Sequence, residues 1–309
     1  MPSIPKTHKL NTGAEIPTVG LGTWQATAEN AVYNAVKVAL KAGYRHIDTA
    51  FAYGNEAEVG RGIRDGLKEA GLSRQDIFVT TKLAPVQARP SNVPSAIATS
   101  LASLGLDYVD LYLMHWPVAL NPASGEMIPL RPDGSRDVDP ELNGQFELTW
   151  AAMEKLVDEK KAKAIGVCNF GIHNLKRLVA AAKVPVAVNQ IELHPYLPQF
   201  ELLAFCAEHG IHVTAYSPLG STNSPFLSDP QLAKIAAKHQ TSVAQIMLSW
   251  GALRGSVIPK SVTAARIESN IALVDLSDEE VETINAFSKT HTQRIVRPKW
   301  GVPVFDDEF

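Results

Sequence analysis

The sequence predicts an α/β protein, a (β/α)8 barrel of the TIM type, and three observations carry the prediction. Short apolar runs alternate with stretches of helical apolar spacing, the runs number eight, and polar side chains stand singly at or just past the ends of several of them. Strand, helix, strand repeated without interruption argues a parallel sheet, and eight such units close most naturally into a barrel.

Ahead of the first unit, His8 to Pro17 reads as a β-hairpin turning at Asn11-Thr12-Gly13. Strands are expected at residues 18–21, 44–48, 77–81, 109–114, 164–167, 186–190, 212–216 and 256–259. Between them, Asn30 to Ala42, Glu56 to Ala70, Val93 to Leu104, Phe146 to Lys160 and Phe200 to His209 show the three-and-four spacing of amphipathic helices. Residues 117–145 and 288–309 break the pattern, and a shorter loop is expected at 217–228. The first of these is too long, and too rich in Pro, Gly, Asn and Asp, for an ordinary connection, so it reads as a functional loop. No repeat, low-complexity tract or linker divides the chain, and residues 1–309 are expected to form one domain.

The chain carries 29 basic and 32 acidic residues, a net charge of −3, which offers no footprint for nucleic acid or an anionic membrane. Small-molecule partners are expected instead, with a monomer or weak dimer as the assembly. Cys168 and Cys206 lie far apart and outside any metal-ligand spacing, so neither a disulfide framework nor a metal site is indicated. The N-terminus lacks the apolar core of a signal peptide, and no apolar run reaches the ~18 residues of a membrane helix. The expected compartment is the cytoplasm.

Barrel enzymes place reactive groups at the carboxyl ends of their strands. In strand order, the residues there are Thr23 and Trp24, Asp48, Lys82, His115, Cys168 and Asn169, Gln190, Tyr216 and Lys260, with Tyr53 slightly further along the second loop. Each alone has an ordinary explanation: Asp48 as a helix cap, Lys82 as a solvated charge, His115 as a satisfied buried imidazole. Their joint position at successive strand ends does not. A phenol has an ordinary pKa of about 10 and donates its proton poorly near neutrality, and a lysine beside it lowers that value. A carboxylate holding the lysine and an imidazole touching the same substrate oxygen would complete an acid catalyst for carbonyl chemistry.

The run His-Ile-Asp-Thr-Ala-Phe-Ala-Tyr-Gly-Asn-Glu (46–56), followed by Lys82 and His115, resembles the aldo-keto reductase family, and the likeness extends from about Leu10 to about Asn270. Within that family it is nearest in pattern to the fungal NADP-dependent glycerol dehydrogenase and aldehyde reductase branch. The resemblance implies NADPH-dependent reduction of aldehydes or small aldoses, and polyol oxidation in reverse. Tyr53 would give its proton to the carbonyl oxygen, Asp48 and Lys82 would tune it, and a neutral His115 would orient the carbonyl. For NADPH or NADP+ the resemblance implies contacts from Thr23, Trp24 and Asp48, with Asn169 and Gln190 on the carboxamide and Tyr216 against the nicotinamide. Ser217, Leu219 and Ser221 would follow the pyrophosphate, and Lys260, Ser261, Val262, Arg266 and Asn270 the adenosine end. Lys260, Ser261 and Arg266 place two cations and a hydroxyl around a helix start, which suits a 2′-phosphate. The glycine signature of the other common dinucleotide fold is missing, since Gly20-Leu-Gly-Thr-Trp lacks its third glycine.

Three positions depart from the family pattern. Cys168 replaces a serine, which weakens one expected carboxamide contact; Ser269 replaces a glutamate near the adenine; and Ala84 replaces a tryptophan two residues after Lys82, so an open pocket wall is expected there. Trp24, Trp116 and Trp300 are expected as the apolar rim of the substrate pocket, and Trp150 and Trp250 as core. Other readings stay open: a pentose or sugar-acid aldose reductase of the same family, a barrel aldolase using Lys82 or Lys260 as a Schiff-base nucleophile, and a non-catalytic NADPH-sensing subunit resembling potassium-channel β proteins.

Overall fold

The computed structural model describes residues 3–26, 28–221 and 224–309, the side chain of Thr290 apart. Strands β1 (Thr7–Lys9) and β2 (Glu15–Pro17) form the hairpin, with His8 opposite Ile16. The remaining strands are β3 (Leu21–Gly22), β4 (His46–Asp48), β5 (Phe78–Leu83), β6 (Val109–Met114), β7 (Ala162–Cys168), β8 (Val188–Glu192), β9 (His212–Tyr216) and β10 (Ser256–Val257). They pair in parallel, each with the next in the chain. Closure comes from Gly20 N–H to the Val257 carbonyl (2.9 Å), Gly22 N–H to the Pro259 carbonyl (3.1 Å) and Val257 N–H to the Thr18 carbonyl (2.8 Å). The expected (β/α)8 barrel is therefore present.

Strand ends differ from expectation in an instructive way. Both β5 and β8 run on two residues further than expected, so Lys82 lies within its strand, opposite Leu113, rather than beyond it, and Gln190, opposite Thr214, is no longer the last residue of its own. A polar side chain does not stop a strand when partners for it exist inside the barrel mouth. The first and last barrel strands are shorter than expected, two residues each.

Strands buried on both faces carry nearly continuous apolar sequence, and β6 shows why. Leu111 and Leu113 pack inside the barrel with Phe78, Ala164 and Val188, while Tyr112 and Met114 belong to the layer between strands and helices. Leu10 and Ile16 of the hairpin join the inner cluster, and the Asn11 amide donates to the Val186 carbonyl (2.8 Å) ahead of β8. The hairpin therefore stops the end of the barrel where strands begin, and the open mouth is at the other end. Trp150 and Trp250 are fully buried, as expected.

The helix Glu56–Ala70 illustrates the outer layer. Val59, Gly60, Ile63 and Gly66 line its buried face, and it ends at Gly71 in the left-handed region at φ 67°. A Cβ on Gly60 would stand 2.3 Å from the Leu104 carbonyl oxygen, so only glycine permits this approach to the helix Val93–Leu104. Among the described residues no helix is long and apolar enough to cross a membrane.

The three irregular segments are ordered by polar contacts. In 117–145, bridges join Leu120 to Val138 and Leu130 to Arg136, and Arg89 grips the buried Asp139 through two nitrogens at 2.7 and 3.2 Å. The 217–228 segment contains a 3-10 turn at Pro225–Ser228, with Thr222 and Asn223 outside the described residues. A short helix, Phe287–Thr290, takes up the beginning of the expected tail loop.

The buried His46 and the half-buried His212 make the fold sensitive to acid. Desolvation, assisted for His46 by Lys82 and His212 and for His212 by His8, holds both imidazoles down to about 3. Above the ordinary imidazole value of about 6.5 neither folded nor unfolded chain protonates these rings; below it the unfolded chain takes up protons that the fold refuses, until about pH 3. Their joint contribution should fall by about 2 kcal/mol between pH 6.5 and 5.5. Urea unfolding across that range, compared with a variant carrying His212→Gln, checks this: the loss of stability should be about 1 kcal/mol smaller in the variant.

Candidate active site

Four strand ends meet at the mouth. Lys82 of β5 has no exposed side-chain surface, and its ammonium donates to Asp48 Oδ1 (2.6 Å), the Thr49 carbonyl (2.8 Å) and the Tyr53 hydroxyl (3.3 Å). Tyr53 gets there because the chain turns immediately after β4 in a single 3-10 turn, Phe51–Tyr53, closed by Gly54 at φ 69°. Asp48 is fixed from two further sides: Gln190 Nε2 donates to its Oδ2 (2.7 Å), and the Thr23 hydroxyl donates to its backbone carbonyl (3.0 Å). Asn55 in turn donates to the Thr23 carbonyl (2.9 Å).

Burial pushes the Asp48 carboxyl up, against the pull of Lys82 and the hydrogen bonds from Lys82 and Gln190. Burial also works against the Lys82 ammonium, but Asp48, Tyr53 and Cys168 outweigh it and leave Lys82 above its ordinary value. The pair is ionised, because both carboxylate oxygens face donors and the ammonium faces only acceptors. Tyr53 differs from expectation. Burial raises its hydroxyl to about 12, Lys82 only moderates the rise, and Asp48 and Cys168 add to it. The phenol is thus fully protonated at neutral pH, a proton donor with a cation behind it.

His115 presents its ring edge-on to Tyr53, centroids 5.7 Å apart. Burial, then Lys82, lowers its pKa well below the usual imidazole range, so it is neutral. Among the described residues its buried Nδ1 has no hydrogen-bond partner. The ring stands beside the phenol that Lys82 holds. Such an arrangement can bind a carbonyl oxygen and protonate it.

Next to this group the barrel presents amides. Asn169, at φ 64° just past β7, donates to the His115 carbonyl (3.0 Å) and accepts from the Tyr216 hydroxyl (2.6 Å). Cys168 lies 3.2 Å from the Asn169 amide nitrogen and 3.9 Å from Gln190 Oε1. Each amide keeps spare hydrogen-bonding capacity. Ser217, Gly220 and Ser221 all have left-handed backbone, which carries the chain sharply around the mouth from Tyr216 through Leu219. On the adjoining side the Lys260 ammonium reaches the Gln25 carbonyl (3.2 Å), tying the residue after Trp24 to the segment after β10. Ser261 accepts from Thr263 N–H (3.1 Å), and Asn270 ends the helix Ala264–Asn270. Trp24 and Val262 stay exposed, at 40 and 47%, and the exposed Arg266 guanidinium has no partner among the described residues.

Two residues expected on the substrate side are buried. Ala84 has no exposed surface. It opens the 3-10 turn Pro85–Gln87, onto which the 117–145 segment is pinned by Leu120 N–H to the Pro85 carbonyl (2.9 Å). Trp300 is 5% exposed and packs on Trp116, centroids 4.8 Å apart. Trp24 and Trp116 keep exposed surface.

Residues missed by sequence reasoning include Thr49, whose carbonyl binds Lys82, and Asn55, which fixes Thr23. Their adjacency to Asp48 and Tyr53 was the only signal. The chain also contains the Tyr-x-x-x-Lys interval of short-chain dehydrogenases at Tyr33 and Lys37, but Tyr33 donates to Asp65 (3.0 Å) and Lys37 pairs with Glu69 (2.5 Å) on the outer helices. Among the described residues no group of three or more His, Cys, Asp or Glu side chains could hold a metal ion.

Fold and site together define a barrel with an acid group built on a tyrosine and a lysine, and the chain belongs to the aldo/keto reductase family, whose model matches residues 18–289. It is 49% identical to glycerol 2-dehydrogenase (NADP(+)) of Saccharomyces cerevisiae over 96% of this chain and 95% of that protein, and 48% identical to aldehyde reductase YPR1 of the same yeast over 97 and 96%. The solved aldose reductase of Giardia lamblia superposes with a TM-score of 0.89 at 38% identity, covering 94% of this chain and 98% of that one.

The geometry separates stability from chemistry at two positions. Lys82→Met leaves Asp48 charged and unpaired in the barrel and should cost about 3–5 kcal/mol in urea unfolding. Tyr53→Phe removes one partly exposed hydroxyl and should cost about 1 kcal/mol or less.

Proposed function

We propose that this chain reduces aldehydes and small aldoses to alcohols with NADPH, and oxidises polyols in the reverse direction. The observation that carries the reading is the Tyr53 hydroxyl held by the buried Lys82 ammonium, with the His115 ring edge-on to the phenol. When bound, the coenzyme supplies a hydride to the carbonyl carbon. Tyr53 gives its proton to the carbonyl oxygen, and the Lys82 cation, fixed by Asp48, stabilises the charge left on the phenolate. His115, neutral and fixed in orientation, directs the carbonyl oxygen toward Tyr53.

The chain's surface fits a dinucleotide of this kind. Support comes from the exposure of Trp24, Val262 and Arg266 and from the left-handed backbone at Ser217, Gly220 and Ser221. Thr23, Asp48, Asn169, Gln190 and Tyr216 would hold the nicotinamide end, Ser217, Leu219 and Ser221 the pyrophosphate, and Lys260, Ser261, Val262, Arg266 and Asn270 the adenosine 2′-phosphate end. Names borne by the relatives, glycerol 2-dehydrogenase (NADP(+)) and aldehyde reductase, support both coenzyme and substrate class.

A Schiff-base aldolase is a poorer reading. Its nucleophile must be a neutral amine, whereas Lys82 is held as an ammonium by three acceptors.

Two measurements test the proposal. Tyr53→Phe should lower kcat for aldehyde reduction by at least about 100-fold, with NADPH affinity by fluorescence titration nearly unchanged; retention of most activity would refute the acid assignment. Arg266→Ala should weaken NADPH binding by about 1.5–3 kcal/mol and leave NADH binding nearly as it was. Equal weakening of both would remove Arg266 from the 2′-phosphate.

A further inference from the structure

Past the helix Phe287–Thr290 the chain packs Ile295 on the main core and buries Trp300, Val304 and Phe305 in a smaller cluster with Val118, Leu120 and Val138. Thr292, Arg294, Arg297 and Phe305 line a cavity of about 590 Å³ together with Asn169 and Glu192. None of Asp48, Tyr53, Lys82 or His115 lines that cavity. Polar anchors add to the packing of the tail, and one of them is unusual.

Glu192 ends β8 and has no exposed surface. Its Oε1 accepts the N–H of Ile295 and its Oε2 the N–H of Val296, both at 2.7 Å, and His194 Nε2 lies 3.0 Å from Oε1. A second link runs beside it: Gln199 Nε2 donates to the Glu192 carbonyl (2.6 Å), while Gln199 Oε1 accepts from Arg294 (3.2 Å). A carboxylate buried against two backbone N–H groups makes charge-assisted hydrogen bonds, the strong kind. The same strand carries Gln190 two residues earlier, and Glu192 itself pairs with Tyr216 in the sheet. Four residues beyond the gripped N–H groups, Trp300 lies on Trp116, whose ring stacks on that of His115 at 6.4 Å.

We propose that Glu192 is a positioning residue for substrate selectivity: by clamping the Ile295 and Val296 N–H groups it holds Trp300 against Trp116 and so fixes the wall beside His115. Glu192 touches neither substrate nor coenzyme in this role; it acts through the tail. The carboxylate is suited to the task because no neutral side chain accepts from two adjacent backbone donors with both oxygens. The selectivity half of the proposal rests on the carbonyl reductase reading above, whereas the clamp itself does not.

The test uses the full chain with Glu192→Gln, Trp300→Ala and the double variant. Hydrogen exchange in the absence of coenzyme reads the clamp: in Glu192→Gln the amides of Ile295 and Val296 should exchange at least about tenfold faster, with β5 and β6 unchanged. Selectivity is read as the ratio of kcat/KM for a branched aromatic aldehyde to that for propanal. Glu192→Gln should move this ratio by about tenfold, within the up to about 100-fold that a displacement of about 1 Å can cost, mainly through KM. Adding Trp300→Ala to it should move the ratio little further, since both changes release the same wall. Unchanged exchange at residues 295 and 296 overturns the clamp, and full additivity of the two substitutions overturns its action through Trp300. If Glu192→Gln does not fold, Gln199→Ala, which cuts the Arg294 link without disturbing the buried carboxylate, must shift exchange and ratio in the same directions or the proposal fails. Absence of carbonyl reduction by the unaltered protein would overturn the functional reading while leaving the exchange result to judge the clamp.

Discussion

An ammonium with no access to water has to be surrounded by acceptors, and the Lys82 site shows how much of the structure that requirement organises. Its three acceptors come from consecutive pieces of one stretch: the last residue of β4, the carbonyl that follows, and the hydroxyl of the 3-10 turn. Removing the charge from water is expensive unless every partner is in place. The register between β4 and β5, the glycine that closes the turn and the Gln190 amide behind Asp48 are all parts of one arrangement. The acid group is thus a by-product of stabilising a buried cation, and Tyr53 is the one member of the set that also reaches the mouth.

The positions of the candidate site are legible in the sequence because strands are short and the barrel is regular. Once Asp48, Lys82 and His115 fall at equivalent heights on neighbouring strands, parallel pairing brings them together whatever the loops do. Tyr53 was legible from its five-residue offset, which a single tight turn satisfies. What could not be read was anything decided by distant segments. The sequence at Ala84 announces a missing indole, but the 117–145 segment that covers it pairs with residues more than thirty positions away in the chain. Trp300 follows an irregular tail whose route depends on a glutamate about a hundred residues earlier. Ionisation is similar. A lysine beside a tyrosine is visible in the spacing, but the depth of burial that outweighs it is a property of the closed barrel.

The mouth divides into two kinds of surface. On the side of β4 to β9 the polar groups largely satisfy one another, from Lys82 and Asp48 to Asn169 and Tyr216, with His115 Nδ1 as an exception. On the side of β10 and the loop after β3, Arg266 and Trp24 present a cation and an aromatic face to solvent. Under the proposed function, chemistry and coenzyme recognition would fall to different strands.

The barrel's two shortest strands, β3 and β10, are also neighbours, and only a few backbone hydrogen bonds knit them. This is the line along which a closed cylinder of strands would part first. The segments flanking it, Trp24 on one side and residues 260–266 on the other, are those read here as holding opposite stretches of one dinucleotide. A molecule lying over both edges can bind only while they are adjacent, so it acts as a suture, and its occupancy would be felt as resistance of the whole cylinder to opening.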